Sequence, residues 1–410
     1  MTPKVSVVVP VYNTRPYLAE CLDSLMAQDL PPADFEVVAV DDGSTDGSGE
    51  ILDGYAERHP NVTVVHQENS GWPGMPRNVG LAASRGDYVF FADSDDRLAP
   101  QALRRMHEFA TEHSCDVVVP KVVPMAGTGA PDYVWRRTQV DADLTRAIIT
   151  LGPWKLFRRA FLDERGLRFP EGKVRLEDGI LVTEAYLTAR RVSLLADYDY
   201  YLKRAQPDRG NISSTPVDPD GYISSVARII TIVRKHCADA AVADALVVTV
   251  YRRKALKWFG PDRFPGYRQE RKEAWVRAVA ALAEEQVPAR LDDLLPLLHR
   301  TRSVLVRHRE IAALAGLGAA QQGGRPLPTA LVDTWMEMHV PGLTAGAALV
   351  VAPGLRLVRA EEPPQPGGPR AAVATLARQY VWPLARRSAW GRRGWSWARH
   401  RFGPRRRQDG

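Results

Sequence analysis

The chain has 410 residues with 45% apolar and 25% charged side chains, as is typical of a soluble globular protein, and its formal net charge is +7. No run of about twenty apolar residues occurs, so no membrane-spanning helix is predicted. The N-terminus lacks the features of a signal peptide, and the three cysteines are scattered without metal-ligand spacing. We therefore expect a cytoplasmic protein with a catalytic domain and smaller appended elements.

Strands and helices alternate along the first hundred or so residues. Buried strands are predicted where β-branched residues cluster, at Val5–Pro10, Phe35–Asp41, Val62–Gln67 and Tyr88–Ala92. Apolar residues recur at helical spacing between them, within Leu18–Leu25 and Ile51–Tyr55. The alternation predicts an α/β fold with a mostly parallel sheet, which binds ligands at the carboxyl ends of its strands.

The rest of the chain is predicted to add a fifth strand at Asp116–Val123 and a further helix and strand between Asp178 and Asp197. A helical pattern rich in Ala, Leu and Arg follows. We predict four segments, which are a catalytic domain at 1–215, a helical domain at 216–320, a linker and small mixed segment at 321–369, and a basic tail at 370–410.

Two acidic clusters follow predicted strands. Asp41 and Asp42 end the second strand beside the turn residue Gly43, where they could bind a nucleotide base or ribose; a turn and helix cap is the equally acceptable alternative. Asp93-Ser94-Asp95-Asp96 follows the fourth strand, and carboxylates at this spacing can hold a divalent cation together with diphosphate oxygens. Because both clusters lie at equivalent strand ends, a functional site is favoured over ordinary acidic loops.

Basic and polar residues are predicted to complete the site. Pro76 and Arg77 stand where the loop Asn69–Asn78 leads into a helix, so a cationic side chain and a positive helix end can face an anion. Lys203-Arg204 and Arg209–Ser214 form a basic and polar loop that could fold over a diphosphate, or be a solvated loop. Glu177-Asp178 begins another helix, where Asp178 could act as a general base or only as a helix cap.

Five segments, in their order and spacing, resemble the family 2 glycosyltransferases. They are Pro10–Asn13, Val40–Asp46, Arg77-Asn78, Asp93–Asp96 and Glu177-Asp178. Within that family, Asn69–Asn78 and Val192–Asp197 are most similar to the wall teichoic acid ribitol-phosphate β-N-acetylglucosaminyltransferases. The resemblance covers about the first 215 residues well and extends more loosely to about residue 315.

The resemblance implies a GT-A fold, which is a Rossmann-like mixed sheet that binds a nucleotide-diphospho-sugar, here a UDP-sugar such as UDP-GlcNAc. The donor-binding residues that we carry over are Pro10, Tyr12, Asn13, Asp41, Asp42, Asn69, Pro76, Arg77, Asp93, Ser94, Glu177, Arg209 and Ser213. The resemblance further implies that Asp93 and Asp95 approach the diphosphate through Mn²⁺ or Mg²⁺. Asp178 would be the general base of an inverting transfer to a hydroxyl of a polyol-phosphate polymer.

Other functions remain open at this stage. The second expectation is a glycosyltransferase of another surface polysaccharide or lipid-linked glycan, and the third is a nucleotide-sugar-binding scaffold, which would need neither a metal pair nor Asp178. Trp72 occupies a position where the family has a small residue, so the resemblance leaves the sugar preference open. The missing QxxRW signature argues against a processive synthase, and the missing glycine-rich turn against a dinucleotide-dependent oxidoreductase.

The tail alternates arginines with Trp382, Trp390, Trp395 and Trp397. This basic aromatic composition predicts attachment to an anionic membrane surface, which would place the protein on the inner face of the cell membrane. Retention of a polyanionic acceptor and a merely solvated end are the alternatives, whereas nucleic acid is disfavoured because no recognition module accompanies the arginines. The short segment 327–359 leaves a homo-oligomer open, and a trimer is not carried over from the family.

Overall fold

The computed structural model describes residues 2–125, 134–204, 216–322, 329–332, 335–344, 348–352 and 355–359. These residues form two compact units. One comprises the described residues up to Ala255 together with Glu285–Val287, and the other comprises the remaining described residues from Leu256 onward. The division falls later than the predicted boundary near residue 215, because the first helices beyond it pack on the catalytic unit. The four predicted segments stay a prediction.

The first unit contains ten strands and nine α-helices among its described residues. The strands are β1 (Val5–Val11), β2 (Phe35–Asp41), β3 (Val62–His66), β4 (Tyr88–Phe91), β5 (Arg97–Leu98), β6 (Val117–Pro120), β7 (Val122–Pro124), β8 (Leu156–Arg158), β9 (Val192–Leu195) and β10 (Tyr201–Lys203). The helices are α1 (Arg15–Met26), α2 (Ser48–Arg58), α3 (Gly74–Ala83), α4 (Ala102–Glu112), α5 (Leu144–Ala147), α6 (Arg159–Glu164), α7 (Glu177–Thr188), α8 (Pro219–His236) and α9 (Ala240–Val250). A π-helical turn, Tyr251–Ala255, follows α9.

Seven strands form one mixed sheet in the order β3-β2-β1-β4-β8-β6-β9. Neighbours among β1 to β4 run parallel, as do β6 and β9, whereas β8 is antiparallel to both β4 and β6. The predicted α/β fold of GT-A type is confirmed. The expectation of a mostly parallel sheet missed β8, because three residues are too few to show a period in the sequence.

The first strand is buried on both faces, which is why its sequence reads as a nearly continuous run of valines. Since side chains alternate along a strand, Val7 and Val9 enter the core that includes Leu18 and Leu22 of α1. Val8 points to the opposite face, against Gly80 of α3. The strand order reverses at β1, which lies between β2 and β4, and such a switch point opens a crevice for ligands at the carboxyl ends of the strands.

The close approach of α3 to β1 depends on Gly80, where a Cβ would lie 2.4 Å from Cγ1 of Val8. We expect Gly80→Ala to lower the free energy of unfolding by about 1–3 kcal/mol, because the extra carbon overpacks the core. Gly54→Ala in α2 is the matched control, since its Cβ would meet only the flexible end of Arg58. That change should stabilise the helix by up to about 1 kcal/mol. Urea unfolding of both variants measures the contrast, and equal effects would contradict the packing argument.

The predicted fifth strand, Asp116–Val123, is wrong as a single element. The chain breaks at Lys121, whose carbonyl accepts hydrogen bonds from the backbone of Tyr200 and Tyr201, and Pro120 has no N–H with which to continue the ladder. β6 stays in the main sheet, whereas β7 joins a small sheet in the order β5-β10-β7. This small sheet brings Tyr201 beside the segment that follows β4.

The described residues of the second unit form three α-helices, α10 (Gln269–Gln286), α11 (Leu297–Arg307) and α12 (Ile311–Gln322), of which α10 ends in residues of the first unit. Four strands follow: β11 (Thr329–Val332), β12 (Trp335–Val340), β13 (Leu349–Ala352) and β14 (Leu355–Arg359). They form one sheet where a short mixed segment was expected, and Leu349, Val351, Leu355 and Leu357 alternate inward. In the described part of the chain, no helix is both long and apolar enough to cross a membrane. The predicted tail at 370–410 lies outside the described residues, so its membrane attachment stays a prediction.

Candidate active site

The loop after β1 is tied to the loop after β2 by hydrogen bonds. Asn13 has a positive φ of 50°. Its side-chain Oδ1 accepts a hydrogen bond of 2.9 Å from the backbone N–H of Thr45, and its own backbone N–H donates to Oγ of Ser44 at 3.1 Å. Pro10, the penultimate residue of β1, is half-buried, and the side chain of Tyr12 beyond the strand is largely exposed. The predicted residues of the first loop therefore border an open edge of the sheet.

Asp42 organises the loop that follows β3. Its carboxylate accepts hydrogen bonds from Gln67 and from both the backbone N–H and the hydroxyl of Ser70, while its carbonyl accepts one from the Asn69 side chain at 2.9 Å. Gly43 adopts a φ of +73°, and any Cβ there would lie 2.8 Å from the Asn69 nitrogen. The conformation and the close approach together require glycine. Asp42 thus shapes the start of the loop Asn69–Asn78, and its contact with a donor stays a prediction.

Arg77 lies between two carboxylates from distant parts of the chain. Its guanidinium donates to Oε1 of Glu177 at 3.0 Å and to Oδ1 of Asp93 at 2.9 Å, and it also packs over the Phe169 ring. Trp72 donates its indole N–H to the other oxygen of Glu177 at 3.2 Å. Burial lowers the pKa of Arg77, but the two carboxylates outweigh it and raise that pKa above its ordinary value.

Three carboxylates meet directly after β4. Asp93, Asp95 and Asp96 each offer an oxygen within 4.8 Å of the others, so Asp96 joins the pair that the sequence predicted. Burial, with the charges of Asp93 and Asp95, raises the pKa of Asp96 to about 7. Trp154 donates its indole N–H to Oδ2 of Asp93 at 2.8 Å, and Lys203 sits 3.8 Å above the Trp154 ring. The acidic cluster is therefore preformed and bordered by a cation.

The small sheet holds this cluster in place. The Tyr201 hydroxyl accepts the backbone N–H of Asp93 at 3.0 Å, and the backbone N–H of Arg204 donates to Oδ1 of Asp96 at 2.7 Å. The Arg204 guanidinium donates to the carbonyl of Asp95 and pairs with Glu20. Arg204 belongs to the predicted basic loop, whose residues Arg209 and Ser213 lie outside the described residues. Their role in donor binding stays a prediction.

Asp178 lies in the first turn of α7, next to Glu177. Two lysines share its surroundings, since the charge of Asp178 acts on both Lys155 and Lys254. Lys155 is buried, donates to the carbonyl of Gly152 and lies 5.7 Å from the centre of the Tyr186 ring. Burial lowers its pKa to about 7, and Asp178 opposes that shift. Asp178 is thus half-buried beside these basic groups, and its role as the general base stays a prediction.

Comparisons with known proteins agree on one family. The model for glycosyl transferase family 2 matches residues 6–166, and the model for the glycosyl transferase TarS linker domain matches residues 219–318. A crystal structure of Staphylococcus aureus TarS 1–349 in complex with UDP-GlcNAc superimposes with a TM-score of 0.72 and 30% identity, over 82% of this chain and 96% of that one. The chain belongs to the family 2 glycosyltransferases.

Two full-length relatives of this family 2 chain have curated functions. The poly(ribitol-phosphate) β-glucosyltransferase of Bacillus spizizenii is 39% identical over 243 residues, which are 58% of this chain and 38% of the relative. The poly(ribitol-phosphate) β-N-acetylglucosaminyltransferase TarS of S. aureus is 34% identical over 312 residues, which are 73% of this chain and 53% of TarS. The chain therefore spans about half the length, or less, of these relatives. The resemblance to the teichoic acid branch of the family is confirmed.

The structure brings most of the predicted residues to one edge of the sheet. Ser94 is buried within the acidic segment, and Pro76 is buried in the first turn of α3, directly before Arg77. Sequence reasoning missed Trp154, Tyr201 and Lys155, which contact the site from segments that carry no recognisable motif. Their assignment requires the tertiary structure, because each reaches the site through an unpredicted strand or the turn before one.

Proposed function

We propose that the chain is an inverting glycosyltransferase that moves a sugar from a UDP-sugar to a hydroxyl of a polyol-phosphate, teichoic-acid-like polymer. The observation that carries the proposal is the position of Arg77 between Asp93 and Glu177 at the switch point of the sheet. Three segments that are far apart in sequence converge there. A cation, an acidic cluster and a separate carboxylate at one strand edge match the needs of a leaving diphosphate and an attacking hydroxyl.

Each predicted side chain has a defined part in this proposal. The donor nucleotide lies across the ends of β1 and β2, near Tyr12, Asp41 and Asn69, and its diphosphate lies toward Arg77. Asp178 accepts the proton of the acceptor hydroxyl as that oxygen attacks the anomeric carbon. A single in-line displacement then inverts the configuration, so an α-linked donor gives a β-linked product.

The acceptor and the sugar follow from the relatives. TarS and the Bacillus enzyme both act on poly(ribitol-phosphate), one with N-acetylglucosamine and the other with glucose. A phosphate polymer suits this chain because Lys203, which is exposed above the Trp154 ring, offers a cation beside the acidic cluster. N-acetylglucosamine is the proposed sugar, supported by the match to TarS bound to UDP-GlcNAc.

The acidic cluster fits a divalent cation. Hard carboxylate oxygens within 4.8 Å of one another suit Mn²⁺ or Mg²⁺, and a bound cation would relieve the repulsion that raises the pKa of Asp96. Asp93, Asp95 and Asp96 would hold it. Bound there, the ion would neutralise charge on the diphosphate of the donor.

We expect Asp95→Asn to weaken Mn²⁺ binding by at least about tenfold, a loss that even outer-shell changes produce at metal sites. Electron paramagnetic resonance of free Mn²⁺ measures the affinity without reference to turnover. Asp29→Asn is the matched control, because that carboxylate pairs with Arg104 outside the acidic cluster. Unchanged Mn²⁺ affinity in Asp95→Asn, or full turnover in excess EDTA, would contradict the metal site.

The function is tested by UDP release from a panel of UDP-sugars in the presence of Mn²⁺, with and without poly(ribitol-phosphate). The proposal predicts turnover that the polymer stimulates, with UDP-GlcNAc the preferred donor. Turnover without polymer stimulation would instead indicate another surface glycan or a lipid-linked acceptor. UDP binding without turnover of any donor would indicate a nucleotide-sugar-binding scaffold.

A further inference from the structure

His66, the last residue of β3, bridges two carboxylates at the edge of the sheet. Its Nδ1 lies 3.0 Å from Oδ2 of Asp41 at the end of β2, and its Nε2 lies 3.0 Å from Oδ1 of Asp53 in α2. A neutral imidazole has one N–H donor and one acceptor. Only the imidazolium can donate to both carboxylates, so this geometry selects the protonated ring.

The electrostatic surroundings of His66 agree with its geometry. Hydrogen bonds to Asp41 and then Asp53 raise the pKa of His66 above 6.5, and the two carboxylate charges add to that effect. These two groups, one on each element packed against β3, are the charges that face the ring among the described residues. Burial of the ring opposes the shift only weakly, since its side chain remains 49% exposed.

The absence of a side chain at Gly49 leaves room for the contact between Asp41 and His66. A Cβ on Gly49 would lie 3.0 Å from Oδ2 of Asp41 and 3.5 Å from Cε1 of His66. The first separation is closer than ordinary packing allows, so glycine at this position accommodates the ion pair.

The two carboxylates that contact His66 differ in their exposure to solvent. Asp53 is largely exposed, with 56% of its side chain accessible, whereas the Asp41 side chain is 7% exposed. Asp41 also accepts the backbone N–H of Ser44 through Oδ1 at 3.0 Å. Each carboxylate oxygen can accept two hydrogen bonds, so Asp41 is held by two donors and retains acceptor capacity at the site edge.

We propose that His66 is a positioning residue for nucleotide recognition, and that its imidazolium holds the Asp41 carboxylate oriented to accept the N3–H of the donor uracil. The inference rests on the proposed function. Uracil carries a hydrogen at N3, whereas cytosine has only an acceptor there, so a fixed carboxylate favours UDP over CDP. When His66 loses its proton, one ring nitrogen turns a lone pair toward a carboxylate oxygen, and the hold on one of the two carboxylates is lost.

The test measures UDP and CDP dissociation constants by calorimetry between pH 6 and 9. The proteins compared are the parent, His66→Gln, which is neutral at all these pH values, and Asp53→Asn, which leaves the Asp41 contact but removes one carboxylate. Free UDP also changes its protonation in this pH range, but it does so equally in the experiments with every protein. The ratio of the dissociation constants of parent and variant at each pH therefore reports the titration of the protein group alone. Near-ultraviolet circular dichroism checks that each variant is folded.

At pH 6 we expect His66→Gln to bind UDP roughly tenfold more weakly than the parent, with a smaller preference over CDP. The parent should lose this advantage as pH rises through the raised pKa of His66, and Asp53→Asn should lose it at a lower pH. Strong UDP binding that is identical in the parent and His66→Gln at every pH would overturn this inference alone. A parent that binds neither nucleotide would overturn the proposed function as well.

Discussion

Replacing Arg77 by Met is expected to lower the free energy of unfolding of the first unit by about 3–5 kcal/mol, the cost of leaving buried carboxylates without their counter-ion. Arg77 is 5% exposed, and its guanidinium contacts both Asp93 and Glu177. Glu177 contributes most of this cost, because its side chain is 11% exposed whereas that of Asp93 is 26% exposed and can be hydrated. UDP affinity should fall in the same variant.

Urea unfolding followed by tryptophan fluorescence measures the effect of Arg77→Met. The double variant Arg77→Met with Glu177→Gln should recover part of the lost stability, because it removes the carboxylate that was left unpaired. Arg104→Met is the surface control, since Arg104 pairs with Asp29 and Glu108 in solvent and should change little. Equal losses in the two arginine variants would contradict the buried-pair argument.

Asp178→Asn is expected to reduce turnover by about 10²–10⁴-fold, the usual contribution of a general base, while UDP affinity stays close to that of the parent. The amide keeps the size of the side chain but cannot accept the hydroxyl proton. The Asp178 carboxylate accepts the backbone N–H of Gly179, whereas the Glu177 carboxylate binds Arg77 and Trp72 directly. We therefore expect the loss of the Asp178 carboxylate to affect turnover and the loss of the neighbouring Glu177 carboxylate to affect UDP affinity.

Glu177→Gln is the matched comparison for Asp178→Asn. Because Glu177 orients Arg77, its loss should weaken UDP binding and lower stability, with turnover falling partly through the donor affinity. Calorimetry with UDP and single-turnover UDP release separate binding from chemistry. Parent-like turnover in Asp178→Asn would remove Asp178 as the base.

The strands that position the site were predictable because they are long and rich in valine. β1 and β2 match their predicted starts at Val5 and Phe35, and the apolar spacing of α1 identified the four residues that it buries. The acidic and basic motifs follow those strands, so their convergence followed from the topology of parallel sheets.

The remaining features depend on contacts between distant segments. β8 has three residues and no periodicity, yet it inserts antiparallel between β4 and β6, with Trp154 in the turn before it. His66 has no partner at metal-ligand spacing in the sequence, so the sequence alone indicates only a structural or exposed histidine. Its partners, Asp41 and Asp53, come from a neighbouring strand and a helix, and only the register of β2 against β3 brings them together.

The most direct test of glycosyl transfer is incorporation of labelled sugar from UDP-N-acetylglucosamine into purified poly(ribitol-phosphate), compared between the parent and Asp178→Asn. We predict that the parent transfers label to the polymer in a β linkage and that the variant transfers little while still binding UDP. If the label never enters the polymer, the proposed acceptor is contradicted. If both proteins transfer label equally, Asp178 is not the base.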